Sequence, residues 1–321
     1  MKEIEPSKIR STSDRHEWGE STLCSICIAT YRRPHLLQKL IISLANQELP
    51  PGVKMEVILV DNDSHRSAVP IFQEFKHFPQ MDLYYLNQPK KNISLSRNMG
   101  VKKASGEYIL FIDDDETASP QWVFNLLKSM KEFKVDGAFG PLMPEFNKQT
   151  PKWMRHRDLF YGPLQSTGET PKHKWSGNCM IRASLLKTME EPFDPFYGNT
   201  GGEDTHLFER LERQGALFVY CREAQVSEYL PPDRTRTSYL LRRSLKGGDA
   251  HTRRAIEFTD QSNSLFRLLI VGKALSYGIT SFFFAILLYP SKFRRTQWLM
   301  KFTSNAGRFL AAFGIHYRMY K

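Results

Sequence analysis

The sequence predicts an α/β fold: a mostly parallel sheet with helices on both faces, followed by a basic helical appendage. Three observations predict it. Strand and helix signals alternate over residues 22–116. The strand segments are near-continuous apolar runs, as expected of strands buried on both faces. All of the excess positive charge falls after Pro231-Pro232.

The elements follow in order. TLCSICIAT (22–30) is a short apolar strand, and HLLQKLIISLANQ (35–47) has helical spacing at Leu36, Leu37, Leu40, Ile41 and Leu44. MEVILVD (55–61) reads as a second strand, VPIFQEFKHF (69–78) as a short helix and LYYLNQ (83–88) as a third strand. ISLSRNMGVKKA (93–104) is a helix with Asn92 as N-cap, and EYILFID (107–113) is a fourth strand. SPQWVFNLLKSMKEF (119–133) predicts a helix capped by Ser119 with Pro120 at its first position. VDGAFGPLM (135–143) and HKWSGNCMIRA (173–183) read as strands on either side of a long irregular loop over 144–172. GGEDTHLFERLERQG (201–215) is a glycine-led turn into a helix, and ALFVYCREAQVSEYL (216–230) supplies two more strands.

Composition narrows the class. Residues 233–321 hold 16 Lys and Arg against four acids, whereas residues 1–232 hold 29 against 30. Nucleic-acid binding needs a basic face on the folded domain, and the near-neutral first part argues against it. The first 21 residues are polar, lack an export signal and read as a flexible tail. Cys24 and Cys27 have C-x-x-C spacing, but on a strand they point to opposite faces and read as core residues. With no disulfide framework, a reducing cytoplasmic compartment fits.

The C-terminal part divides into a basic helical stretch (233–255), an apolar run (268–290) and a basic, aromatic segment to Lys321. The uncharged run Ala274–Pro290 has 17 residues, about 25 Å as a helix and marginal for crossing a bilayer. Trp298, Phe302, Ala306, Phe309 and Phe313 share one helical face, which suits a helix lying on an anionic membrane surface.

Chemistry concentrates at the carboxyl ends of the strands, where ligands of such sheets bind. Asp61 closes the second strand, and Asp113-Asp114-Asp115-Glu116 follows the fourth. Adjacent carboxylates repel one another, and a hard divalent cation relieves this. In an extended chain Asp113 and Asp115 would share a face and Asp114 would point away. Gly201-Gly202-Glu203-Asp204 puts two carboxylates in the first turn of a helix, where one can serve as a general base. Trp175, Asn178 and Gly202 are candidate acceptor contacts, and Trp153 is a weaker one.

TLCSICIATYRRPHLLQKLIISLANQ, EVILVDNDS, SRNMGVKKASGEYILFIDDDE and FDPFYGNTGGEDTHLFERLERQG, in this order and spacing, resemble family 2 glycosyltransferases of the GT-A, Rossmann-like fold. The likeness covers about residues 22–232 and is nearest to bacterial exopolysaccharide enzymes of the succinoglycan type. It implies a catalytic domain over 22–232 and a membrane-associating region over 233–321. It also implies inverting transfer of one sugar from a nucleotide-diphosphate sugar, most often UDP-linked, onto a saccharide or polyprenyl-linked acceptor. The setting would be the cytoplasmic face of the inner membrane. By the same resemblance Thr30, Tyr31 and Arg33 line the nucleotide, with Asp61 on the base and Asp113 and Asp114 beside the donor. Asp115, with Asp113, holds Mn2+ or Mg2+. Asp204 is the catalytic base and Glu203 positions it or the acceptor. The chain departs from the pattern at Asn92, where many relatives have Gly, and at Ser227-Glu228, where a metal-binding His is common. Two other classes remain open. A nucleotidyltransferase would need a basic Gly-rich loop after the first strand, and a non-enzymatic membrane-binding protein would release no nucleoside diphosphate.

Overall fold

The computed structural model describes residues 22–79, 81–259 and 264–316. The expected N-terminal tail lies outside the described residues. The alternating pattern folds as read. β1 (Thr22–Thr30), α1 (Pro34–Ala45), β2 (Val53–Asp61), α2 (Val69–Phe75), β3 (Asp82–Asn87), α3 (Ile93–Lys103) and β4 (Tyr108–Ile112) succeed one another. Then come β5 (Glu116–Ala118), α4 (Trp122–Phe133), β6 (Gly137–Phe139), β7 (Leu142–Phe146), β8 (Asn178–Arg182) and α5 (Ala183–Lys187). α6 (Glu203–Arg213), β9 (Phe218–Tyr220) and β10 (Val226–Leu230) complete the α/β part. The helices α7 (Thr237–Glu257), α8 (Ser264–Leu287) and α9 (Lys292–Ala312) follow.

The main sheet runs β3-β2-β1-β4-β8-β6-β9. β1 to β4 are parallel, and β8 lies antiparallel to both β4 and β6. Register aligns the carboxyl ends: Thr30 pairs with Asp61, and Asp61 with Asn87. Both faces are covered. Cys24 belongs to one apolar core and Cys27 to the other, as strand alternation requires, and all four cysteines are free and buried.

Two details differ from the sequence reading. VDGAFGPLM is not one strand: β6 joins the main sheet, while β7 joins a small second sheet ordered β5-β10-β7. The second is at α4, which starts at Trp122 rather than after Ser119. Ser119 N donates to Gln225 O at 3.0 Å, continuing the second sheet. Gln47 Oε1 takes the Val123 N–H at 3.1 Å and does the capping instead. Asn92 caps α3 as expected, accepting from Leu95 N at 3.2 Å.

The C-terminal helices pack together, α9 against both α7 and α8. The α7–α9 approach is close: a Cβ on Gly248 would meet Ser304 O at 1.9 Å, and one on Gly307 would meet Leu245 O at 2.0 Å. The aromatic face of α9 is partly taken up: Trp298 stacks on Phe284 at 4.6 Å and Phe302 packs on Phe282 at 5.3 Å, while Phe313 stays exposed. The exposed apolar surface lies on α8, where Leu268 is 68% and Ile279 70% exposed. Leu265–Leu287 is long and apolar enough to cross a membrane.

Candidate active site

The carboxylates after β4 do not follow strand alternation. β4 stops at Ile112, and Glu116 N donates back to Asp113 O at 3.1 Å, so residues 113–116 form a turn. The turn sends Asp114 and Asp115 to one arginine and Asp113 to another. Asp114 points inward, accepting from Thr30 Oγ1 at 2.8 Å and pairing with Arg33 at 2.9 Å. Asp115 pairs with Arg33 at 2.9 Å and with Arg234 at 3.4 Å. Asp113 turns the other way, to Arg97 Nη2 at 2.8 Å. The expectation that Asp113 and Asp115 share a face therefore fails, because it assumed an extended chain.

Arg97, on α3, is the buried centre of this arrangement. Its other nitrogen, Nη1, donates to Glu203 Oε1 at 2.6 Å, so one guanidinium joins the turn after β4 to the first turn of α6. Glu228 and Arg234 form a second link: Arg234 Nη1 donates to Glu228 Oε1 at 2.7 Å, and the Tyr161 hydroxyl donates to Glu228 Oε2. Burial dominates the carboxyl groups here. It pushes Asp114 up to about 6 and raises Asp115, Glu228 and Glu203 despite the arginines, while the neighbouring acids Asp113, Glu228 and Asp115 add to burial in raising Glu116. The donors of the acid-rich turn are all oxygen, which suits a hard divalent cation. Among the described residues no three His, Cys, Asp or Glu side chains converge as a ready cage.

Three cavities meet here. The first, about 630 Å3, is lined by Thr30, Tyr31, Arg33, Asn62, Asp114 and Arg234, among others. The second, about 240 Å3, is lined by Asp113, Glu116, Trp175, Asp204, Glu228 and Arg234, so Arg234 is the wall between the two. The third, about 850 Å3, shares Asp204, Trp175 and Tyr161 with the second and extends to α7 and α9.

The remaining candidates fall on both sides of this line. Gly202, at φ 101°, lines the third cavity and caps α6 in a left-handed conformation that only glycine adopts freely. Trp175 stacks on His173 at 5.2 Å and faces the second and third cavities. Asp61 is 0% exposed and lines none of the three. Its carboxylate accepts from Asp63 N at 3.0 Å, Ala68 N at 2.8 Å and the Tyr85 hydroxyl at 3.2 Å, which fixes the loop after β2. Asn178 is a scaffold residue: it accepts from Trp122 Nε1 at 2.8 Å and donates to Pro141 O and Ala224 O. Trp153 packs against the main core.

Sequence reasoning did not single out Arg97, Arg234 or Tyr161. Arg97 carried a signal, as the one charged side chain over residues 93–100, the first two turns of α3. Its partners, 16 and 106 residues away, were both among the acids the sequence picked out, but nothing in it paired either of them with Arg97.

The Glycosyl transferase family 2 model matches residues 25–189, half of the chain. This chain belongs to glycosyltransferase family 2. It is 28% identical over 290 residues to the succinoglycan biosynthesis protein ExoM of Rhizobium meliloti (strain 1021), covering 90% of this chain and 92% of that protein. It is also 32% identical over 199 residues to the GalNAc(5)-diNAcBac-PP-undecaprenol beta-1,3-glucosyltransferase of Campylobacter jejuni, covering 61% of this chain and 62% of that one. Among solved structures, S. aureus TarS 1–349 in complex with UDP-GlcNAc superposes with a TM-score of 0.53 at 14% identity. That likeness covers 92% of this chain and 93% of TarS 1–349 and establishes the GT-A fold. The chain is a glycosyltransferase of this family and fold.

Proposed function

We propose that the protein is an inverting, metal-dependent transferase that moves one sugar from a UDP-linked donor onto a hydroxyl of a saccharide or lipid-linked acceptor in cell-surface polysaccharide synthesis. The observation that carries this reading is the meeting of a cavity lined by Thr30, Tyr31, Arg33 and Asp114 with one holding Asp113 and Asp204, across Arg234. The names of the similar proteins, a succinoglycan biosynthesis protein and a UDP-GlcNAc complex, support it.

In this reading the nucleotide occupies the first cavity and the acceptor enters through the third. Arg33 and Arg234, now on Asp114 and Asp115, face the diphosphate and bind its charge bidentately. Asp115, on the Arg33 side of the turn while Asp113 is taken by Arg97, would hold Mn2+ or Mg2+, and the cation would supply positive charge to the departing diphosphate. Asp204 takes the proton of the acceptor hydroxyl. The new carbon–oxygen bond forms as the bond to the diphosphate breaks, with the electron pair leaving on the phosphate, and one displacement inverts the anomeric centre. Glu203, held by Arg97, fixes the start of α6 and with it the position of Asp204. The role for Asp61 is indirect: it shapes the loop after β2 that presents Asn62 to the first cavity.

The exposed apolar face of α8, with Lys292, Arg294 and Arg295 opening α9, supports attachment to an anionic membrane surface on the cytoplasmic side. The test is to incubate the purified protein with UDP-, ADP-, GDP- and dTDP-sugars, with and without Mn2+, and a lipid-linked oligosaccharide. Metal-stimulated release of UDP, with an inverted product by NMR, is the expected result. Release of pyrophosphate instead would overturn the reading.

A further inference from the structure

Asp204 is carried by a segment that packs into no apolar core. Residues 198–202 link the helical turn Pro195–Tyr197 to α6. Gly198 and Asn199 line the first cavity, while Gly201, Gly202 and Asp204 line the third, so the segment runs from one to the other. Two glycines in succession, at φ 77° and 101°, leave its backbone much freedom to lose on folding. The Asp204 carboxylate accepts from Thr205 N at 2.6 Å and Thr205 Oγ1 at 3.2 Å, both in its own turn, so its place in the site follows the backbone. No side chain from Gly198 to His206 belongs to either apolar core. The buried side chains of that stretch are polar, Glu203 and His206, and each meets an ionisable partner from another helix.

Arg97 of α3 takes Glu203. Glu257, the last residue of α7, takes His206, with Oε1 3.2 Å from Nε2. The other oxygen of the same carboxylate accepts from the hydroxyl of Tyr197, so Glu257 ties the two ends of the segment together. Aromatic contacts reinforce the tie: His206 stacks on Tyr197 at 4.8 Å and on Phe258, next to Glu257, at 5.3 Å. Arg253 stands over the Tyr197 ring at 5.8 Å and Arg213 over that of Phe258 at 4.6 Å. Burial lowers His206, which keeps the ring neutral near pH 7. Its buried Nδ1 has no hydrogen-bond partner among the described residues, so its proton belongs on Nε2, facing Glu257. α7 also crosses over the glycine pair: the Cβ position of Gly201 is 2.7 Å from Lys246 Nζ, and that of Gly202 is 3.1 Å from Arg254 Nη1. Because Gly248 and Gly307 bring α7 hard against α9, the C-terminal helices reach Asp204 through this contact.

We propose that Glu257 is a positioning residue for transfer: by holding Tyr197 and His206 it fixes the course of residues 197–206 and so aims the Asp204 carboxylate at the acceptor hydroxyl. This rests on reading Asp204 as the base. Glu257 touches neither donor nor acceptor and acts through the backbone that carries Asp204.

The test combines Glu257→Gln and Asp204→Asn, singly and together, in the full chain in detergent, with a UDP-sugar and a lipid-linked oligosaccharide. kcat, donor KM and UDP affinity are measured on each. Gln is close to Glu in size but offers one acceptor oxygen in place of two. Glu257→Gln should lower kcat by about ten- to a hundredfold, the cost of a base displaced by up to about an ångström. UDP affinity should stay close to wild type, which also shows the variant to be folded, and Glu257→Asp should recover part of the loss. In the Asp204→Asn background Glu257→Gln should cost nothing further, because the amide cannot take the proton however it is aimed. An unchanged kcat in Glu257→Gln, or an equal loss with and without Asp204, would overturn the proposal. Should Glu257→Gln fail to fold, Tyr197→Phe removes one arm of the tie and keeps the ring stack. It should lower kcat by a smaller factor, again only where Asp204 is present, and no loss, or the same loss without Asp204, would overturn the proposal. Wild-type transfer by Asp204→Asn alone would overturn the base reading instead, so the two failures are distinguishable.

Discussion

Replacing Arg97 by Met tests the centre of the site through stability and pH together. The guanidinium is buried, with Asp113 at 2.8 Å and Glu203 at 2.6 Å. Met fills much of the volume but leaves Glu203 buried without its partner. Removing one partner of a buried ion pair costs about 3–5 kcal/mol. Asp113 contributes less, because its side chain is 40% exposed and water replaces the lost contact. The sign of the pH effect follows from Glu203, whose carboxyl is already raised by burial while Arg97 opposes the shift. Without Arg97 it rises further. A carboxyl with a folded pKa above its unfolded one holds extra protons in the folded state, so stability falls as pH rises through that window. The deficit of Arg97→Met against wild type should therefore be largest near pH 8 and shrink towards pH 5. Urea unfolding in detergent, followed by tryptophan fluorescence at several pH values, measures it. A deficit under about 1 kcal/mol, or one independent of pH, would refute the reasoning that Arg97 neutralises a buried carboxylate.

Two further predictions concern the edges of the site. Gly198→Ala should lower Tm and raise the donor KM, because its Cβ would lie 1.8 Å from Asn92 Oδ1, the group that caps α3. Thermal unfolding and initial rates check it, and the loss of the cap alone is worth about 1 kcal/mol. Co-sedimentation with phosphatidylglycerol vesicles should weaken between 0.05 and 0.5 M salt without vanishing, since salt screens the basic residues of α9 but not the apolar face of α8.

The sequence makes β1 to β4 and their helices legible because each is a local pattern: an apolar run, a 3.6-residue stripe, a cap such as Asn92. It conceals the second sheet. β5 is three residues long and is held by β10, more than a hundred residues away. The acidic residues were visible, but their directions were not, since the turn at 113–116 depends on where β4 stops. Asp61 and Asn178 illustrate the opposite difficulty. Each stands where a ligand contact is expected, yet its polar atoms are bonded to neighbouring loops, and nothing in the residue type separates the two roles. Arg97 and Arg234 acquire their importance from acids supplied by other elements. A buried arginine is recognisable only once its partners are placed.

The central claim is that Asp204 draws the proton from an acceptor that reaches it beside the donor cavity. Transfer and UDP affinity measured together on Asp204→Asn test it most directly. The account predicts transfer reduced by about 10^3-fold or more, within the range of a lost general base and the preorganisation around it, with UDP bound as tightly as by wild type. Transfer at the wild-type rate in that variant would contradict it.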